Sequence, residues 1–187
     1  VIDANRDGKN EILLLSKNDL YAYTLDAGQL KPVGEFHFPK ALECLTIRAL
    51  PRSAGKPWVV VNMIDDKGMP KSSILTLNGS QFAEEMRDIK YFLNVVKLPP
   101  DYMPVLIGQE GQPPRLFRPG VVNEMVKQGN TLIPGKGVAL PKGANVLNFV
   151  YLPAGKDERD GEKIIVLSDN ENLRTFTAKG ARLAESP

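Results

Sequence analysis

The chain has 187 residues, 42% of them hydrophobic and 25% charged, enough to bury a core of one or two domains. With 24 basic against 22 acidic residues, its net charge of +2 gives no electrostatic case for nucleic acid or an anionic membrane. The longest apolar runs, Ile12 to Leu15 and Trp58 to Val61, are far too short for a helical membrane span.

The sequence opens at Val1 in mid-pattern, with neither an initiator Met nor a signal peptide, and reads as a piece of a longer protein. Asp3-Ala4-Asn5-Arg6-Asp7-Gly8-Lys9-Asn10-Glu11 comes first and precedes an apolar strand, Ile12 to Ser16. A second strand, Leu20 to Thr24, runs into a turn at Gly28, and an outer strand carries the single histidine, His37, between Phe36 and Phe38. Alternation sets His37 opposite those two rings, at the surface and without a catalytic role. Cys44, the lone cysteine, falls in an apolar strand and reads as a buried structural thiol.

From here a pattern recurs. Leu45 to Pro51, Leu93 to Pro99 and Leu147 to Pro153 share the form Leu-x-x-x-x-Leu-Pro and start 48 and 54 residues apart. Pro ends each strand because it cannot donate to a ladder. Polar loops follow at 52–56, 100–102 and 154–161, then β-branched strands at 58–63, 105–108 and 164–168. Third strands are expected at Ser73 to Leu77, Arg115 to Arg118 and Leu173 to Thr177, and weaker fourth strands at Gln81 to Met86 and Val121 to Lys127. Ala83 to Met86 favours helix locally, but Phe82 to Asp88 is too short to displace a strand. Pro134-Gly135-Lys136-Gly137 lacks the Ser/Thr and the helix of a phosphate loop and reads as a connection between repeats.

The opening segment fits the same frame without its first strand. Glu11 to Asn18 aligns with Lys163 to Asn170, and Leu20 to Thr24 with Leu173 to Thr177. The expected fold is therefore all-β: a partial β-propeller over 1–187, with repeats at roughly 1–40, 41–89, 90–142 and 143–187. That amounts to about four four-stranded blades, the first lacking its first strand, in a ring of about six to eight.

One segment carries chemistry. Counting from Asp3, oxygen side chains stand at positions one, three, five and nine (Asp3, Asn5, Asp7, Glu11), with Gly8 at six. Alternating oxygens let a tight loop close on a hard cation, and the Gly permits a turn that brings in a backbone carbonyl, that of Lys9. Three carboxylates with no nearby His or Cys spell Ca²⁺. An EF-hand would need Glu where Leu14 stands and helices on both sides, and Glu11 to Leu15 is a strand.

With that loop and strand the sequence resembles the FG-GAP/VCBS repeat β-propellers, similar to the propeller head of integrin α subunits. The resemblance covers about the first 30 residues and is looser elsewhere, where no Phe-Gly…Gly-Ala-Pro signature appears. It implies a Ca²⁺ loop between the first two strands of a blade, with Asp3, Asn5, Asp7, the Lys9 carbonyl and Glu11 as ligands. A reduced second loop keeps Asp157 and Asp160. It also implies an extracellular, periplasmic or outer-membrane setting in a bacterium.

Other constellations read as scaffold. Asp65-Asp66 before Lys67-Gly68 is turn chemistry, and Trp58, Tyr21, Tyr23, Tyr91, Phe149 and Tyr151 are core or inter-blade packing. Tyr102, on the Pro-rich tip 99–104, is the expected ligand-contact residue. The expected function is a non-enzymatic Ca²⁺-binding propeller that binds a protein or glycan. The alternative is part of a propeller enzyme (polysaccharide lyase, hydrolase or quinoprotein) whose catalytic groups lie elsewhere. Open edge strands also invite self-association of such a piece.

Overall fold

The computed structural model describes residues 1–154, 162–167 and 172–186, and every regular element among them is a strand. They form four antiparallel sheets in which spatial order follows chain order. The first holds β1 (Glu11–Leu15), β2 (Asp19–Asp26) and β3 (Gln29–His37). The second holds β4 (Glu43–Leu50), β5 (Trp58–Ile64), β6 (Ser72–Asn78) and β7 (Gln81–Ile89). The third holds β8 (Tyr91–Leu98), β9 (Met103–Glu110), β10 (Val122–Gln128) and β11 (Thr131–Val138). The fourth holds β12 (Phe149–Leu152), β13 (Lys163–Leu167), β14 (Leu173–Thr177) and β15 (Arg182–Glu185).

Short turns impose this meander. Asp26 pairs with Gln29, so β2 and β3 are joined by Ala27-Gly28 alone, both at positive φ (48° and 80°). Such a turn matches the right-handed twist of the flanking strands. The β6–β7 and β10–β11 hairpins also close on two residues, Gly79-Ser80 and Gly129-Asn130, with only the glycine at positive φ.

The sheets stack face to face. In β5 the run Trp58 to Met63 is wholly buried because both sides of the second sheet are covered. Val59, Val61, Met63 and Leu75 pack with Leu20 and Phe38 of the first sheet region. Trp58, Val60, Ile74 and Met86 pack with Leu93, Leu106, Met125 and Leu132 of the third. The opposite face of the third sheet, with Phe92, Ile107 and Val122, packs on Phe149, Ile164, Val166 and Phe176 of the fourth. Each such side chain contributes about 1.5–3 kcal/mol by leaving water.

Buried amides fasten one sheet to the next. Asn62 of β5 donates to the Leu93 carbonyl (2.7 Å) and accepts from the Leu93 N–H (2.6 Å) in β8. One interface further, Asn94 donates to the Val146 carbonyl (2.8 Å) and Gln109 accepts from the Val146 N–H (2.9 Å). A backbone amide next to a sheet edge thus keeps both hydrogen bonds away from water.

Three expectations are corrected. Arg115 to Arg118 is no strand: its backbone-to-backbone contacts among the described residues are an isolated Gln112–Arg115 bridge and a 2.8 Å bond from the Arg118 N–H to the Glu110 carbonyl, and Pro113, Pro114 and Pro119 on either side interrupt any ladder. Phe117 instead packs edge-on against Phe92 at 5.1 Å. The third strand of that sheet is β10, which covers the segment expected to be fourth. The fourth is β11, which contains Pro134 to Gly137, the expected connection. An edge strand tolerates Pro and Gly, since one side of it faces solvent. Cys44 is half-buried, and burial pushes its thiol up to about 11.

Candidate metal centre

The loop before β1 is tied at both ends. Ile2 and Glu11 exchange backbone hydrogen bonds of 3.1 and 2.8 Å, making the intervening residues a closed hairpin loop. Ala4 is fully buried with Ala22 of β2 and Leu77 of β6, which presses the loop against the first two sheets. Asp3 then accepts from the N–H groups of Asp7 and Gly8, each at 3.1 Å. Asn5 accepts from the Asp7 N–H at 2.9 Å, and Asp7 accepts from the Lys9 N–H at 2.8 Å. Arg6 and Gly8 adopt positive φ (63° and 89°), which turns the chain tightly enough to point these groups inward.

The result is a compact set of carboxylates. One oxygen from each of Asp3, Asp7 and Glu11 lies within 4.8 Å of the other two. Glu11 is fully buried; its Oε2 accepts from the Ala4 N–H at 2.7 Å, while Oε1 has no partner. A buried carboxylate oxygen left unpaired costs desolvation free energy that a bound cation would offset. Burial pushes the Glu11 carboxyl above its ordinary range, and the Asp7 and Asp3 charges add to this against the Ala4 hydrogen bond. Asp7 is held below its range, chiefly by the Lys9 N–H and then by Asn5.

Of the expected ligands, Asp3, Asp7 and Glu11 converge and Asn5 is bonded into the same loop, its amide also donating to Asp7 at 3.1 Å. Lys9 is exposed and contributes its N–H to Asp7. An all-oxygen donor set with three negative charges fits Ca²⁺, which accepts flexible carboxylate and carbonyl coordination. The reduced second loop, Asp157 and Asp160, lies outside the described residues.

The remaining expected residues fall elsewhere. His37 is exposed, with Nδ1 at 2.8 Å from Asp19. Tyr102 sits in the turn before β9, where its N–H donates to the Leu98 carbonyl at 2.9 Å. It lines a cleft of about 550 Å³ with Arg48, Lys97 and Tyr151. Its hydroxyl is screened from solvent and has no partner at hydrogen-bonding distance among the described residues. Burial, then the Glu162 carboxylate, holds that phenol above its ordinary range.

Sequence reasoning did not single out Arg48, Lys97 or the buried amides Asn62, Asn94 and Gln109. A polar residue inside the apolar run Val59 to Ile64 was the available signal for Asn62. No protein-family model matches the chain, and no curated protein matches it.

Proposed function

We propose that this chain is a run of blades from a Ca²⁺-binding β-propeller of the FG-GAP/VCBS kind, a non-catalytic module that binds a protein or a glycan. Stacked meanders of three or four strands support the propeller reading. In it, Ca²⁺ is bound by Asp3, Asn5, Asp7, the Lys9 carbonyl and Glu11 and stiffens the edge of the first sheet. The observation that carries the metal reading is the buried Glu11 oxygen with no partner, beside two further carboxylates. Acidic clusters at a surface are common, but a fully buried glutamate within one is a ligand in waiting.

A loop of this type binds Ca²⁺ with a dissociation constant of about 10⁻⁴–10⁻³ M, which suits the Ca²⁺ concentrations outside cells. The setting proposed is accordingly extracellular, periplasmic or on an outer membrane. The apolar outward faces of the first and fourth sheets, with Leu14 and Tyr21 on one and Val150, Ile165 and Leu167 on the other, are also where copies of this chain would associate.

The test is calorimetric titration of Ca²⁺ into the chain and into the Asp3→Ala/Asp7→Ala variant, with melting curves in Ca²⁺ and in chelator. One site is expected, lost in the variant, with stabilisation of about 1.4 kcal/mol at ten times the dissociation constant. Absence of binding, or an equal loss of stability by the variant in chelator, overturns the metal reading.

A further inference from the structure

We propose that the cleft where β4, β8 and β12 converge binds an oligosaccharide bearing carboxylates, a uronate-containing glycan. This rests on the glycan branch of the function proposed above and names the ligand class. The cleft, about 550 Å³, is lined by Arg48 from β4, by Asn94 and Lys97 from β8, by Tyr102, and by Val150 and Tyr151 from β12, among others.

Charge sets the ligand's sign. Among the described residues, Arg48 and Lys97 are the charged ones in the lining, with no carboxylate beside them. Arg48 is held in position: its Nε donates to Asn94 Oδ1 and its Nη1 to the Ile47 carbonyl, each at 2.9 Å. Asn94 is itself buried and anchored on the Val146 carbonyl at 2.8 Å. The Arg48 Nη2 group has no hydrogen-bond partner among the described residues, on a guanidinium that loses little freedom on binding an anion. Lys97 is exposed and has no ion-pair or hydrogen-bond partner among the described residues.

The Glu162 carboxylate acts on the phenols of both Tyr102 and Tyr151. Ring and aliphatic side chains line the rest of the cleft. Tyr151 is fixed by a 2.9 Å hydrogen bond from its hydroxyl to the Ala139 carbonyl and by edge-on packing against Phe149 at 5.9 Å. Tyr102 takes a left-handed backbone (φ 51°), which a bulky side chain rarely adopts and which the surrounding turn must enforce. A pyranose offers C–H faces to such rings, and a uronate adds the carboxylate that the two cations call for.

Other clefts lack the combination. The one beside Tyr21 and Tyr23, about 690 Å³, has Glu35 and no cation in its lining. The one at the β7–β8 junction, about 390 Å³, mixes Arg87 and Lys90 with Asp88 and Glu110.

The experiment is calorimetric titration with hyaluronan tetrasaccharide, with neutral chitotetraose and an acidic tetraglutamate peptide as comparison probes, at fixed salt and Ca²⁺. Saturable binding of the uronate glycan is expected, weakened about tenfold by Lys97→Gln and by Tyr102→Ala, and unchanged by Lys136→Gln on β11. Lys97 is exposed, so its variant keeps the fold. No saturation by about 10 mM, equal binding of chitotetraose, or tighter binding of the peptide than of the glycan overturns the proposal. Ca²⁺ uptake by the 3–11 loop is read in its own titration, so failure at one site does not imitate failure at the other.

Discussion

Arg6 Nη2 donates a 2.7 Å hydrogen bond to the backbone carbonyl of Arg52. The loop that carries Asp3, Asp7 and Glu11 is thereby fastened to the loop that leads into β5. Arg52 in turn lies over the ring of Trp58 at 4.5 Å, with Lys127 on the same ring at 5.6 Å and Glu85 accepting from the indole N–H at 3.1 Å.

Trp58 is the chain's single tryptophan, so its emission reports this neighbourhood alone. Binding of Ca²⁺ to the loop is expected to shift or quench that emission as the Arg6 contact tightens. Arg6→Ala removes the spectral change and leaves the calorimetric Ca²⁺ signal in place. Bound Ca²⁺ with an unaltered Trp58 spectrum would show that the two loops are not coupled.

Asn62 satisfies both backbone groups of Leu93 within the core. Replacing it with Ala leaves a buried donor and a buried acceptor unpaired, at about 1–3 kcal/mol each. Urea unfolding of Asn62→Ala should give a loss near 3 kcal/mol, whereas Gln128→Ala, at an exposed strand end, should stay within about 0.5 kcal/mol. Similar losses for both variants would deny the amide its role.

Close approach explains two glycines by different means. A Cβ at Gly34 would stand 2.5 Å from the Ser80 carbonyl oxygen, where β3 meets the β6–β7 hairpin. A Cβ at Gly108 would meet the Met125 thioether at 2.6 Å, a flexible group able to move. Gly34→Ala is therefore expected to cost about 1–3 kcal/mol and Gly108→Ala less, with the order read from melting curves. The reverse order would mean that the hairpin yields more readily than the core.

His37, the one histidine, gives a clean titration by NMR. The hydrogen bond it donates to Asp19 raises its pKa above 6.5, burial opposes this, and the Glu35 charge adds to it. Because the folded value is the higher one, the stabilisation is fully present below pH 6.5 and fades as pH rises through the raised value. Asp19→Asn is expected to bring the midpoint down, and a midpoint unmoved by that change would remove the pair as the cause.

Local chemistry was legible and long-range chemistry was not. The Asp3–Glu11 spacing, the β-branched core of β5 and the Gly-bearing hairpin turns each act within a few residues, so their pattern is written in order along the chain. The third sheet misled because its prolines and glycines fall both in a loop, at 113–120, and inside the exposed edge strand β11, where they do no harm. Val122 to Gln128 is more polar than Leu116-Phe117, yet it forms the ladder because only one of its faces is buried. The bond from Arg6 to Arg52 spans 46 residues and that from Asn62 to Leu93 spans 31, and no periodicity encodes either. The cleft at Arg48, Lys97 and Tyr102 joins three sheets and was visible only once the sheets were stacked.

The face-to-face stacking has each sheet lean chiefly on its immediate neighbours, so the molecule is a short linear array as much as a globule. Cooperativity then passes hand to hand through Leu93 and Val146, whose amides the preceding sheet holds. The middle two sheets, covered on both sides, would exchange their amide hydrogens last, and opening would begin at the two ends and travel inward.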